Sequence, residues 1–217
     1  MKKLILSAAL ASAVVFAPAF AATTTDKSKA KTEKAVKADK TLKVNTAASK
    51  LVWNGKKVTG EHTGNINIAS GNLLIAKNRL VGGTFDIDMN SITATDITDA
   101  EYNGKFIGHM KSDDFFATDK HPKATFKITS LAPIKGAKPG ADNYNVTGNL
   151  TIKGITNAVT FPATVKVEGN KATAKGTATI DRTKYDIKYG SKSFFESIGD
   201  KAIYDDFTLN FNVVAQQ

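Results

Sequence analysis

In this 217-residue chain the side chains that type and spacing single out as candidates for moving protons or holding metal are few. They are three histidines (His62, His109 and His121), the acidic pairs Asp113-Asp114 and Asp205-Asp206, and the step Asp181-Arg182. There is no cysteine. That excludes a thiolate nucleophile, a Cys-ligated zinc or iron–sulfur site and any disulfide framework. Neither H-E-x-x-H nor G-x-S-x-G occurs. The histidines lie far apart and lack metal-ligand spacing, so each reads as a structural hydrogen-bonding residue; a His site assembled across strands stays open. His121 precedes Pro122 at a turn. His62 sits in Gly60-Glu61-His62-Thr63-Gly64, where a Gly-flanked strand is expected to approach another segment closely. Adjacent residues of a strand face opposite ways, so neither acidic pair converges on one substrate, and caps or solvated turns are the expected roles. Asp181-Arg182 reads as a structural ion pair. No catalytic residue, metal or cofactor is expected.

What the chain offers instead is apolar surface. Several phenylalanines fall outside any plain strand pattern: Phe106, Phe115, Phe116, Phe194 and Phe195. Aromatic doublets in connecting segments are not needed to fill a sheet core. They are suited to closing a barrel mouth or lining an apolar pocket, and equally to sealing an ordinary core.

The elements that would position these residues are strands. From Leu42 onward the dominant pattern has period two, which puts alternate residues on opposite faces. In Thr84–Asn90 the apolar set is Phe85, Ile87 and Met89 between polar neighbours. Asn65–Ile68, Thr125–Thr129, Asn143–Ile152, Ala158–Glu168, Lys171–Ile180 and Thr208–Val213 are further strands. Clean alternation, one face buried and one wet, describes an antiparallel sheet. Glu168-Gly169-Asn170-Lys171 predicts a two-residue hairpin, and Ser70-Gly71-Asn72 and Lys77-Asn78-Arg79 predict two more reversals. A barrel or a sandwich follows, and a barrel leaves no edge strand open to aggregation. Asp99–Phe116 breaks the pattern. Tyr102, Phe106 and Met110 recur every four residues, Asp99 is placed to cap, and Gly104 and Gly108 predict a short, lid-like helix.

The chain divides into three parts. Lys2 and Lys3, the apolar run Leu4–Phe16 and two small-x-small sites ending at Ala19 and Ala21 describe a secretory signal peptide over 1–21. The run is shorter than the ~20 residues a bilayer span needs, and Pro18 breaks it. Residues 22–41 form a Lys-rich flexible linker, and 42–217 a single domain. The formal charge of +10 is spread accordingly: +2 in the signal, +3 in the linker, and +5 in a domain of 22 basic and 17 acidic residues. Only Arg79 and Arg182 in that domain carry the guanidinium fork that reads guanines and phosphates, so nucleic-acid binding is not expected. The linker reads first as a solubilising tether, with weak, salt-sensitive peripheral contact with an anionic membrane surface as the second reading.

The chain also resembles a known family. Ser91-Ile92-Thr93, His109-Met110-Lys111-Ser112-Asp113-Asp114-Phe115-Phe116, His121-Pro122 and Ala124-Thr125-Phe126 resemble, in order, the signature of YceI-like proteins. Gly148-Asn149-Leu150-Thr151-Ile152-Lys153-Gly154-Ile155-Thr156 looks like that family's G-x-L-T-I-K-G-V-T segment. The motif Trp53-x-Gly55-x-Lys57-x-x-Gly60-x-His62-x-Gly64 resembles its first hairpin, and Asp181–Tyr185 through Ile203 its last loop. The family's usual leucine is His109 or Met110 here, according to alignment.

The resemblance implies an all-β, lipocalin-like antiparallel β-barrel of about eight strands with one short helix. It also implies a periplasmic protein that holds an isoprenoid-type or other long-chain lipid inside. Alternation then nominates Phe85, Ile87, Met89, Phe126, Val146, Leu150, Phe161, Leu209 and Phe211 as inward ligand-binding residues, capped by Phe106 and Met110. A polar head would stay near the mouth, with Arg182, Lys184, His62 and His109 as weaker candidates. Two other readings compete. A side-chain-filled barrel would be a structural or interaction module. A histidine projecting into the interior beside a carboxylate would favour an enzyme acting on an apolar substrate.

Overall fold

The computed structural model describes residues 37–217. The expected signal peptide and most of the expected linker lie outside the described residues. The first strand is β1 (Lys40–Val44), followed by β2 (Lys50–Lys57), β3 (Gly60–Ala76) and β4 (Arg79–Asp88). A 3₁₀ turn (Met89–Ser91) and helix α1 (Ala100–Lys111) lead to β5 (Lys123–Pro133). Strands β6 (Tyr144–Ile152), β7 (Ile155–Glu168) and β8 (Lys171–Asp181) follow. Two more 3₁₀ turns (Arg182–Tyr185 and Gly199–Lys201) precede β9 (Ile203–Gln216).

Every pairing is antiparallel, in the order β3-β2-β9-β8-β7-β6-β5-β4, and β4 pairs back onto β3 to close the barrel. β1 and β2 share one lane between β3 and β9. β1 pairs with residues 72–75 of β3 and β2 with residues 60–66, and the turn 45–49 interrupts them. The closed barrel therefore has eight lanes built from nine segments. Closure leaves no strand edge for another chain to extend.

The turns follow residue chemistry. Lys77 and Asn78 both adopt positive φ, as do Lys153 and Gly154, the pattern of the primed turns whose twist matches flanking strands. Glu168 faces Lys171 across the expected Gly169-Asn170 hairpin. Ser70-Gly71-Asn72 is not a reversal, contrary to expectation, because β3 runs through it for 17 residues. A register shift between Ile68 and Ser70 bends the strand there, and a Cβ at Gly71 would lie 2.9 Å from the Thr84 carbonyl oxygen. The glycine serves close strand approach, not a turn.

Helix α1 begins where expected. The Asp99 carboxylate accepts the Tyr102 N–H at 2.7 Å, satisfying an otherwise orphaned donor. The helix stops at Lys111, where the Ser112 hydroxyl donates to the His109 carbonyl. Phe115 and Phe116 therefore sit in the following turn and bury themselves in the barrel.

The apolar interior forms two clusters stacked along the barrel. One, beneath α1, is built on Trp53, Ile66, Ile68, Met89, Phe115, Phe116 and Ile152. The other, at the opposite end, is built on Leu42, Leu73, Ile75, Val146 and Val165. Phe85, Phe126, Phe161 and Phe211 pack against both. Their rings run in series across the barrel, with centroids 6.3, 5.6 and 5.3 Å apart. This belt has room because β6 and β8 carry glycines opposite it. A Cβ at Gly148 would lie 2.3 Å from the Phe126 ring, and one at Gly176 would lie 2.8 Å from the Phe211 ring.

Candidate functional site

The interior is not filled. Under α1 lies a cavity of about 660 Å³, a size that accepts a drug-sized or lipid molecule. A second void of about 100 Å³ lies around the phenylalanine belt, walled by apolar side chains alone. Ile87, Leu150, Ile180 and Leu209 line both, so the two spaces share a wall.

The residues nominated by alternation all reach these spaces. Phe85, Phe126, Val146, Phe161 and Phe211 line the inner void. Ile87, Leu150 and Leu209 line both, and Met89, Phe106 and Met110 line the larger cavity. α1 closes part of the mouth through Phe106, whose ring stacks on Trp53 at 6.2 Å and meets His62 at 4.7 Å. The helix is held down by the segment before it. The Thr93 and Thr95 N–H groups donate to the Asn65 and Thr63 carbonyls, and Asn103 donates to the carbonyls of Ala94 and Ile97. Gly64 makes this possible, since a Cβ there would fall 1.7 Å from the Thr93 oxygen. The close approach expected around His62 is this contact.

The polar candidates divide. His62 and His109 both line the large cavity, each beside a carboxylate. His62 Nδ1 lies 2.8 Å from Asp96 Oδ2, and His109 Nε2 lies 3.1 Å from Asp114 Oδ2. Burial opposes ionisation of Asp96, but hydrogen bonds from the Thr63 N–H and from His62 outweigh it and hold its carboxyl below the ordinary value. Arg182 also touches the cavity wall, yet its donors are engaged by the carbonyls of Ile187, Ile203 and Tyr204 at 2.9–3.0 Å. Its ionic partner is Asp205, at 3.6 Å. Asp181 instead caps the following turn by accepting the Thr183 N–H. Lys184 is exposed, 3.9 Å from Asp181, and lines neither space. Among the described residues, no group of three or more His, Asp or Glu side chains converges to hold a metal ion.

The aromatic doublets also part ways. Phe115 and Phe116 line the cavity, as proposed for such doublets. Phe194 and Phe195 are 49% exposed and line neither space. The loop carrying them is held from below, by Ser191 and Ser193, and turns them outward. Sequence reasoning missed Trp53, Asp96, Ile180, Tyr189, Tyr204 and Phe207, all in or against the cavity. Alternation in Ile203–Val213 was a usable signal for Phe207. Nothing in the sequence joins Asp96 to His62, 34 residues away.

Comparison with known proteins agrees with this architecture. The model of the YceI-like domain matches residues 42–215. A UPF0312 protein of Pseudomonas paraeruginosa is 35% identical over 86 residues, covering 37% of this chain and 42% of the relative. One from Staphylococcus aureus is 39% identical over 88 residues, covering 37% and 46%. The chain thus spans less than half the length of the curated relatives it matches. Among solved structures, Burkholderia cenocepacia BcnA superposes with a TM-score of 0.61 at 27% identity, covering 80% of this chain and 99% of that one. A polyisoprenoid-binding domain from Saccharophagus degradans gives 0.58 at 18% identity, covering 81% and 97%, a likeness of fold. With its domain matched almost from end to end, the chain belongs to the YceI-like family.

Proposed function

We propose that this barrel holds one isoprenoid-type or similar long-chain amphiphile, as a carrier or sequestering protein of the periplasm, without catalysis. The carrying observation is the void: about 660 Å³ under α1, continued past shared walls by an inner space with no polar lining. A filled barrel acting only as an interaction module is disfavoured by that space. Each CH₂ moved from water into such an interior gains about 0.8 kcal/mol, so a chain of prenyl length is held by burial alone. The chain would lie among Phe106, Met110, Met89, Ile87, Leu150 and Leu209, with its end toward Phe85, Phe126, Val146, Phe161 and Phe211. The head group would stay at the mouth near His62 and His109, where Lys56, Lys57 and Lys201 also border the cavity. The Saccharophagus domain, described as polyisoprenoid-binding, supports this ligand class, and the N-terminal signal pattern supports export. The deciding experiment is organic extraction of protein purified from its native host, followed by mass spectrometry and titration with prenyl lipids. A co-purifying lipid and saturable binding are expected. No lipid and no saturable binding would overturn the reading.

One observation favours a second reading. His62, fixed by Asp96 and bordering the cavity, has the geometry of an oriented general base acting on an apolar substrate. Under that reading His62→Ala would abolish turnover of the extracted lipid while leaving its affinity intact. If the lipid is recovered chemically unchanged after incubation, the carrier reading stands alone.

A further inference from the structure

The two ends of the barrel differ in chemistry more than a generic basic protein requires. The connections 58–59, 89–122, 153–154 and 182–202 lie at the end carrying α1 and the cavity mouth. With four strand residues on either side of each connection, that end holds 12 basic and 15 acidic residues. It also carries the exposed large apolar side chains of the described residues: Val58, Tyr102, Ile155, Tyr189, Phe194, Phe195 and Tyr204. The opposite, closed end carries none of these.

Counted in the same way, the closed end with residues 37–39 holds nine basic residues and three acidic ones. Lys37, Lys40 and Lys43 enter with β1, and Lys77 and Arg79 flank the β3–β4 turn. Lys135 and Lys138 lie in the β5–β6 connection, and Lys166 and Lys171 flank the β7–β8 hairpin. The acids do little to offset them. Glu168 pairs with Lys166, Asp39 accepts the Lys77 backbone N–H, and Asp142 accepts the Thr164 hydroxyl.

We propose that the closed end is a docking face for an anionic phospholipid bilayer, which orients the barrel with its mouth away from that surface. Charge complementarity selects the partner. A broad lysine field with no exposed aromatic side chain rests on headgroups without inserting, and its attraction acts over about a Debye length, ~10 Å at 0.1 M salt. The mouth end, with more acids than bases, is repelled by the same surface. Nucleic acid is the poorer partner, since Arg79 is the one guanidinium at this end and none of the exposed aromatic side chains that could stack on bases lies there. The inference does not rest on the lipid-carrier reading, because it concerns the outer surface alone.

The test is co-sedimentation of the protein with vesicles of phosphatidylglycerol and phosphatidylcholine, or of phosphatidylcholine alone, at 50 and 500 mM salt. Binding is expected to the anionic vesicles only, weakening at least tenfold at high salt. Replacing Lys135, Lys138, Lys166 and Lys171 by Glu should abolish it with the circular dichroism unchanged, whereas Phe194→Ser with Phe195→Ser should leave it intact. Because the chain has no cysteine, Ala141→Cys and Glu196→Cys each give one unique labelling site. A headgroup quencher should quench the fluorophore at 141 and spare the one at 196. Equal binding to neutral vesicles, loss of binding in the phenylalanine variant, retention in the charge-reversed variant, the reverse quenching pattern, or tighter binding to double-stranded DNA would each overturn the assignment. None of these outcomes depends on whether the barrel contains a lipid.

Discussion

Arg182 has the features of a head-group cation and is used otherwise. It is 4% exposed, sits against the cavity wall, and gives its donors to three carbonyls that close the last loop onto β9. Replacing it by Met strands those carbonyls and the Asp205 carboxylate together. A loss of about 3–5 kcal/mol is expected in urea denaturation, with binding of any ligand reduced only as far as the fold is lost. Asp205 adds a pH dependence. Burial works against its charge, but hydrogen bonds from Ser191 and Ser193 and the Arg182 charge prevail and hold its carboxyl below the ordinary value. Asp86, bonded by Ser70 and Lys123, and Asp96 are lowered as well. Carboxyls lowered in the fold stay ionised after the unfolded chain has begun to take up protons. Their contribution is therefore complete above the unfolded value of about 4 and is lost as pH falls through the folded values. Thermal melts should show a steady decline in stability below about pH 4 and little change from pH 5 to 7.

At the scale of elements, glycine decides where segments touch. Gly64 lets β3 lie against the Thr93–Thr95 segment that carries α1, and Gly64→Ala should push that segment away. A cost of about 1–3 kcal/mol is expected, with faster hydrogen exchange at the Thr93 and Thr95 amides. Gly104 is the contrast. A Cβ there meets nothing within 4 Å, so Gly104→Ala should stabilise α1 by about 0.5–1 kcal/mol. These elements were legible in the sequence to the extent that their signals are local. Phe85-x-Ile87-x-Met89 announced its inward face, Asp99 its cap, and Gly169-Asn170 its hairpin. Gly71 misled because a glycine between polar residues looks the same whether it turns the chain or admits a neighbouring strand. The sharing of one lane by β1 and β2, the His62–Asp96 contact and the engagement of Arg182 with β9 carbonyls are products of closure. They join residues distant in sequence, and no local pattern encodes them.

The described domain is a barrel without cysteine that keeps a large, mostly apolar space beneath a 12-residue helix. Such a space forgoes the dispersion contacts a packed core would make, so the empty barrel is less stable than its strand pairing alone suggests. A ligand that fills it binds only the folded state, and at 100 times its dissociation constant it adds about 2.7 kcal/mol. For a domain of this size, each kcal/mol moves the melting temperature by roughly 2–4 °C. Extraction should therefore lower the melting temperature by roughly 5–11 °C, and adding back a prenyl alcohol should restore it. The dependence on chain length locates the ligand. Each added isoprene unit should raise the melting temperature until the chain reaches Phe85, Phe126, Phe161 and Phe211, whose rings cross the interior. Beyond that length the gain should stop. Phe161→Ala, which enlarges the inner void at the belt, should lower the melting temperature of the empty protein and move that limit to longer chains. A limit unchanged by Phe161→Ala would mean that the chain never reaches the belt, and that the ligand lies wholly in the space under the helix.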